Sequence, residues 1–176
     1  MAVTSRVLIA GIGNVFHSDD GFGVEVISRL STRDLPPEAV VADYGIRGMH
    51  LAYELLDGGY EFTIFVDTIQ RGGEPGTVYV LDADPAAEVG GDEHTDEGPV
   101  LDGHGMHPAA VLALLRRLGG TPGRVFVVGC EPLTVAEGMG LSDPVSAAVD
   151  EAARQVRVLV SDMLERGGTD VSWNSR

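Results

Sequence analysis

Hydrophobic and polar positions along this chain fall into blocks whose period switches back and forth. "RVLIAG" (Arg6 to Gly11) is a short continuous apolar run with β-branched residues that ends in glycine, as a strand buried on both faces of a parallel sheet does. From Asp20 onward the apolar residues Phe22, Val26, Ile27 and Leu30 recur at helical spacing, with Ser18 or Asp19 placed to cap the first turn. The alternation then repeats. "AVVADY" (Ala39 to Tyr44) predicts a strand, "GMHLAYELL" (Gly48 to Leu56) a helix, and "EFTIFVD" (Glu61 to Asp67) another buried strand. "TVYVLD" (Thr77 to Asp82) follows the turn "GGEPG" too closely for a helical crossover, which predicts an antiparallel edge strand or a side hairpin. "HPAAVLALLRRLGG" (His107 to Gly120) has Pro108 in its first turn and glycines at its end, the asymmetry of a helix. "RVFVVGC" (Arg124 to Cys130) predicts a last buried strand, and Asp143 to Gly168 a long terminal helix.

Strands alternating with helices through right-handed crossovers predict an α/β fold, a three-layer α/β/α sandwich around a mostly parallel, twisted sheet of about five strands. The 176 residues suit one domain over 1–168, with Thr169 to Arg176 as a flexible tail. Between Ala83 and Gly103 lies an acidic stretch, poor in large apolar residues and too long for an ordinary connection; it predicts a mobile loop or lid.

Composition narrows the chemistry. Cys130 is the only cysteine, which excludes an intrachain disulfide and a thiolate-held structural zinc. The formal charge is −15 and all 12 basic residues are arginine, so there is no lysine for a P-loop or a Schiff base. Nucleic acid and anionic membrane are disfavoured as partners, and a cation or a basic polypeptide is favoured. Val7 to Ile12 is too short to span a membrane and lacks a cleavage-site pattern, so a cytoplasmic location is expected, and nothing in the chain demands more than a monomer.

The candidate chemistry lies in "GIGNVFHSDDGFGV" (Gly11 to Val24). Two glycines after a strand suggest a phosphate cradle, but the third glycine of a dinucleotide fingerprint falls on Phe16, and the adjacent Asp19 and Asp20 would repel phosphate. Ligands of an open parallel sheet bind outside the carboxyl ends of its strands. The residues predicted there are acidic: Asn14 and then Asp20 after the first strand, Asp43 after the second, Asp67 after the third, and Cys130 and Glu131 after the last. His104 precedes the third helix, in "DGHGMHP". Carboxylates gathered on one rim call for a cation, and two carboxylates with an imidazole suit a borderline divalent ion such as Ni²⁺, Zn²⁺ or Fe²⁺. Gly11 and Gly13 allow the tight turn that brings Asp20 near Asp67.

Simpler readings stand beside this one. Asp19 or Asp20 alone is a helix cap, Asp67 alone a turn acceptor and His104 alone a loop histidine. His107 reads as a cap before Pro108, His17, His50 and His94 as surface or supporting residues, and Cys130 as a small buried hydrophobe.

"GIGNVFHSDDGFGV", "DYGIRGMHLAYELL", "FVDTIQRGGEPGTV", "HGMHPAAVLALL" and "GLSDPVSAAV", in that order, resemble the hydrogenase maturation proteases, endopeptidases that process the large subunit of nickel–iron hydrogenases. The resemblance implies removal of a C-terminal extension from a large-subunit precursor after nickel insertion. It also implies that Asp20, Asp67 and His104 are the catalytic, nickel-contacting residues, supported by Gly11, Gly13, Asn14, Asp19 and Asp43. The nickel then belongs to the substrate and no permanent cofactor is expected. If a general base is used, Asp43 or Asp19 could serve where Asp20 and Asp67 are engaged with the metal. Two departures stand out: the turn often written "DGGT" in relatives is "DYGI" here, and Asp20 replaces the glutamate of some members. The alternatives are a nickel-binding assembly chaperone without peptidase activity, against which the lack of a histidine-rich tract speaks, and a nucleotide-binding module, which the carboxylates disfavour.

Overall fold

The computed structural model describes residues 6–30, 32–83 and 107–166. The lid expected over Ala83 to Gly103, the tail from Thr169, His94 and His104 fall outside these residues, save for Ala83 itself.

Among the described residues there are five strands, β1 (Val7–Ile12), β2 (Ala39–Gly45), β3 (Phe62–Thr68), β4 (Val78–Ala83) and β5 (Arg124–Cys130). They form one sheet in the order β2-β1-β3-β5-β4. β1, β2, β3 and β5 are parallel, and β4 runs antiparallel on the edge. The expected antiparallel edge strand is therefore present, and its partner is β5, not the β3 that precedes it in sequence. Among the described residues the α-helices are α1 (Phe22–Arg29), α2 (Gly48–Asp57), α3 (Pro108–Arg117) and α4 (Asp143–Arg166). None of the described helices is long and apolar enough to cross a membrane.

Period-two alternation sends the strand side chains into two cores. Val7, Ile9, Phe62, Ile64, Val66, Phe126 and Val128 pack with Phe22 and Val26 of α1 and with Val149, Val156 and Val160 of α4. Leu8, Ala10, Ile12, Phe65, Val125 and Val127 pack with Leu51 and Leu55 of α2 and with Val111 and Leu115 of α3. This is the three-layer α/β/α sandwich expected. From β1 the chain crosses by α1 to β2 on one side, then by α2 to β3 on the other. The crossover direction reverses between β1 and β3, and that reversal opens a crevice at their carboxyl ends.

Two helix starts differ from expectation. The helix expected from Asp20 is preceded by a 3-10 turn, Ser18–Gly21, and α1 begins at Phe22 with no side-chain cap at either start. Ser18 opens this turn with a left-handed φ of 53°, so no helix runs back through it, and the turn leads directly into α1. His107 does occupy the N-cap position of α3, in the extended conformation that Pro108 imposes, but its ring makes no capping bond. The first turn is closed by the backbone, with the His107 carbonyl accepting the N–H groups of Ala110 and Val111. The turn after α3 lies at the strand starts, where the Pro122 carbonyl accepts the Thr63 hydroxyl at 3.1 Å. The helix N-terminus and His107 therefore point toward the opposite, carboxyl rim.

Helix α1 can lie against β1 and β3 only because residue 23 has no side chain. A Cβ on Gly23 would stand 2.2 Å from the Val66 carbonyl oxygen and 2.3 Å from that of Ile12. Backbone cannot yield as a side-chain tip does, so Gly23→Ala is expected to cost about 2–3 kcal/mol as an overpacked core site does, measured by urea denaturation with an unchanged m-value.

Candidate active site

At the crevice, one glycine brings Asp20 into place. Gly13 has a φ of 134°, and a Cβ there would lie 1.8 Å from the backbone oxygen of Asp20. With the two backbones in contact, the Asn14 N–H donates to Asp20 Oδ2 at 2.9 Å. On the other side of the crevice the Thr68 hydroxyl donates to Asp20 Oδ1 at 3.3 Å, and the Thr68 N–H donates to Asp67 Oδ1 at 2.8 Å. Asp20 and Asp67 are thus brought together with Thr68 bonded to both, a contribution the sequence did not single out.

Asp67 is only 4% exposed. Burial pushes its carboxyl well above the usual range; the Thr68 N–H pulls the other way and the neighbouring Asp20 pushes it up further. An ionised carboxylate in such surroundings needs a proton or a cation. Among the described residues no group of three or more His, Cys, Asp or Glu side chains forms a complete metal site. The donor set present is the Asp20–Asp67 pair, and His104 lies outside the described residues.

Asp19, next in the chain, does something different. It is completely buried. Its carboxylate accepts the N–H groups of Leu133, Thr134 and Ser142 at 2.9, 3.1 and 2.7 Å, and the Ser142 hydroxyl at 2.8 Å. Burial alone would raise its pKa, but the bonds from Ser142, Thr134 and Leu133 outweigh burial and hold the carboxyl below the usual range. A group so saturated is a poor base and does not cap α1. It pins the segment between β5 and α4 to the turn that carries Asp20.

Glu131 plays the matching part for the segment that follows β3. Buried at the end of β5, it accepts the Arg71 N–H at 2.9 Å, the Gly72 N–H at 3.2 Å and the Tyr79 hydroxyl at 3.0 Å. The Arg71 N–H is the largest influence holding its carboxyl below the usual range, against burial and together with the Tyr79 hydroxyl. The segment leaving β3 is thereby fixed to β5. Sequence position alone showed Glu131 on the rim; its partners, 52 to 60 residues away, could not be read from local pattern.

The remaining expected residues take lesser places. Gly11 serves helix packing, since a Cβ there would stand 2.4 Å from Ile27 Cγ1. The Asn14 side chain accepts the Phe16 N–H at 2.9 Å. Asp43 is exposed at the end of β2, and its carbonyl accepts a bond from the Arg47 guanidinium. It lines a cleft of about 250 Å³ with Asn14, Phe16, Ile46 and Arg47. His50 is exposed, and His17 contacts the Val135 carbonyl at 3.3 Å. Cys130 is buried, and burial, reinforced by Asp19, pushes its thiol up to about 12, which leaves it an inert hydrophobe.

The family model described as hydrogenase maturation protease (HycI) matches residues 24–158. A putative hydrogenase maturation protease of Methanocaldococcus jannaschii is 34% identical over 149 residues, 83% of this chain and 90% of the relative. The hydrogenase 2 maturation protease of Escherichia coli is 28% identical over 158 residues, 86% of this chain and 88% of the relative. Among solved structures, the hydrogenase maturating endopeptidase HybD from Escherichia coli superposes with a TM-score of 0.67 at 27% identity, over 92% of this chain and 94% of its own.

Two substitutions test the opposite roles of the carboxylates. A carboxyl whose folded pKa is raised binds its proton more tightly folded than unfolded, so its contribution to stability falls as pH rises above about 4, the ordinary aspartate value. Asp67→Asn removes that loss. The metal-free variant is expected to melt a few degrees higher than the parent at about pH 8, at roughly 2–4 °C per kcal/mol, with the two curves converging toward about pH 4. Asp19→Ala is expected to do the reverse, losing about 3 kcal/mol or more by stranding three backbone donors and a hydroxyl in the interior, as read by thermal and urea denaturation near neutral pH.

Proposed function

The chain belongs to the hydrogenase maturation proteases, and on that premise we propose that it removes a C-terminal extension from the large-subunit precursor of a nickel–iron hydrogenase, recognising nickel already bound in the substrate. The observation that carries this reading is the meeting of Asp20 and Asp67 at the β1/β3 crevice, both bonded to Thr68. Two carboxylates form an open donor set for a borderline cation, and the third donor, His104, precedes α3 in the sequence. A site that gains its cation only when substrate arrives can distinguish a nickel-loaded precursor from an empty one.

The chemistry follows from that arrangement. Asp67, disfavoured as a free anion by burial, gains a counter-charge from the substrate's nickel, and Asp20 contacts the same ion from the β1 side. Docking sets the scissile peptide beside the metal, where the ion polarises the carbonyl or activates water for attack. With Asp19 saturated by hydrogen bonds, the exposed Asp43 is left as the side chain available to accept a proton from that water.

The test is incubation with nickel-loaded and nickel-free precursor, followed by intact mass measurement of the large subunit. A C-terminal truncation is expected with the loaded form only. Asp67→Ala and His104→Ala are each expected to slow it by about a thousandfold or more, on the scale of losing a direct stabiliser of the reacting centre. Transfer of nickel to the precursor with no loss of mass would identify a metal chaperone instead.

A further inference from the structure

The segments flanking Asp20 carry large apolar side chains in solvent. Phe16 is 63% exposed, Leu133 59% and Met139 74%, with Val135 also exposed. Single exposed apolar residues are ordinary, but these sit on two segments joined into one ordered unit. The Gly138 N–H donates to the Phe16 carbonyl at 2.9 Å, and the Ser18 N–H donates to the Gly138 carbonyl at 2.8 Å. The Ser18 hydroxyl donates to the Ala136 carbonyl at 2.8 Å, and the Asp19 N–H to the Thr134 carbonyl at 3.1 Å. The buried Asp19 carboxylate closes the joint from beneath. Asn14 ties this unit to the site, accepting from Phe16 through its side chain and donating to Asp20 through its backbone.

Charge identifies what covers this surface. Neither residues 13–20 nor 131–143 contain an arginine or lysine, whereas Asp20, Glu137 and Asp143 lie along them outside the buried carboxylates. A twofold interface would set this acidic rim against its own copy, with −15 on each chain, and like charges so juxtaposed oppose pairing. A different protein surface, apolar at its centre and basic at its edge, meets no such penalty. We propose that Phe16, Leu133, Val135 and Met139 form the docking surface for the folded body of the protein substrate, holding it while the metal engages Asp20 and Asp67. The proposal rests on the processing role above and adds where the substrate is gripped.

Phe16→Ser combined with Met139→Ser tests it, in steady-state cleavage of the nickel-loaded precursor and in direct binding of that precursor by biolayer interferometry. The expected result is a KM and a dissociation constant raised about tenfold or more, with kcat and melting temperature unchanged, because the substitutions remove ground-state contacts on exposed side chains. Raising salt from about 0.05 to about 0.5 M is expected to raise the parent's KM as well, by screening the charged rim. Unchanged precursor binding would overturn the proposal. So would a parent dimer in light scattering that the double variant abolishes, since a second copy would then be the occupant. If the parent binds the precursor without cutting it and the double variant loses that binding, the processing role fails while the docking surface stands.

Discussion

A carboxylate held nearly out of water is costly, and the rest of the site is arranged around that cost. Asp67 stands at the end of β3, between β1 and β5, where solvent cannot stabilise its charge. One backbone N–H from Thr68 offsets part of the penalty, and the approach of Asp20 adds to it. The native fold keeps the pair because the reversal of crossover direction between β1 and β3 brings their carboxyl ends together there.

Around this pair two further carboxylates have the opposite environment. Asp19 and Glu131 are as buried as Asp67, yet each accepts several hydrogen bonds and is held in its ionised form. Their work is to fix the segments that leave β5 and β3, so that the rim is rigid where Asp20 and Asp67 project from it. Burial thus does not decide the role of a carboxylate. The count of donors facing it does.

This division explains what could and could not be read from the chain. The strands were legible because β1, β3 and β5 are buried on both faces and appear as unbroken apolar runs, and the helices because each covers the sheet with one apolar stripe. The convergence of Asp20 with Asp67 followed from the parallel architecture, which sets both on one rim, together with the glycine turn after β1. The pairing of β4 with β5 was hidden, since an edge strand after a tight turn reads equally as a hairpin with β3. Asp19 could not be told from Asp20 by type or position, because the partners that saturate it lie 114 to 123 residues away. Thr68 escaped notice for a related reason, its hydroxyl acting on a residue 48 positions earlier. His107 takes the N-cap position of α3 that its place before Pro108 suggests, but its ring makes no capping bond.

The central claim is that the paired carboxylates bind the nickel of the substrate. X-ray absorption at the nickel edge, recorded on the loaded precursor alone and in complex with the cleavage-deficient His104→Ala protein, tests it directly. The account predicts added oxygen donors at about 2.0–2.2 Å in the complex, typical of carboxylate ligation to a borderline divalent ion, and their reduction when Asp67 is also replaced by alanine. A nickel spectrum identical in free and bound precursor would contradict it.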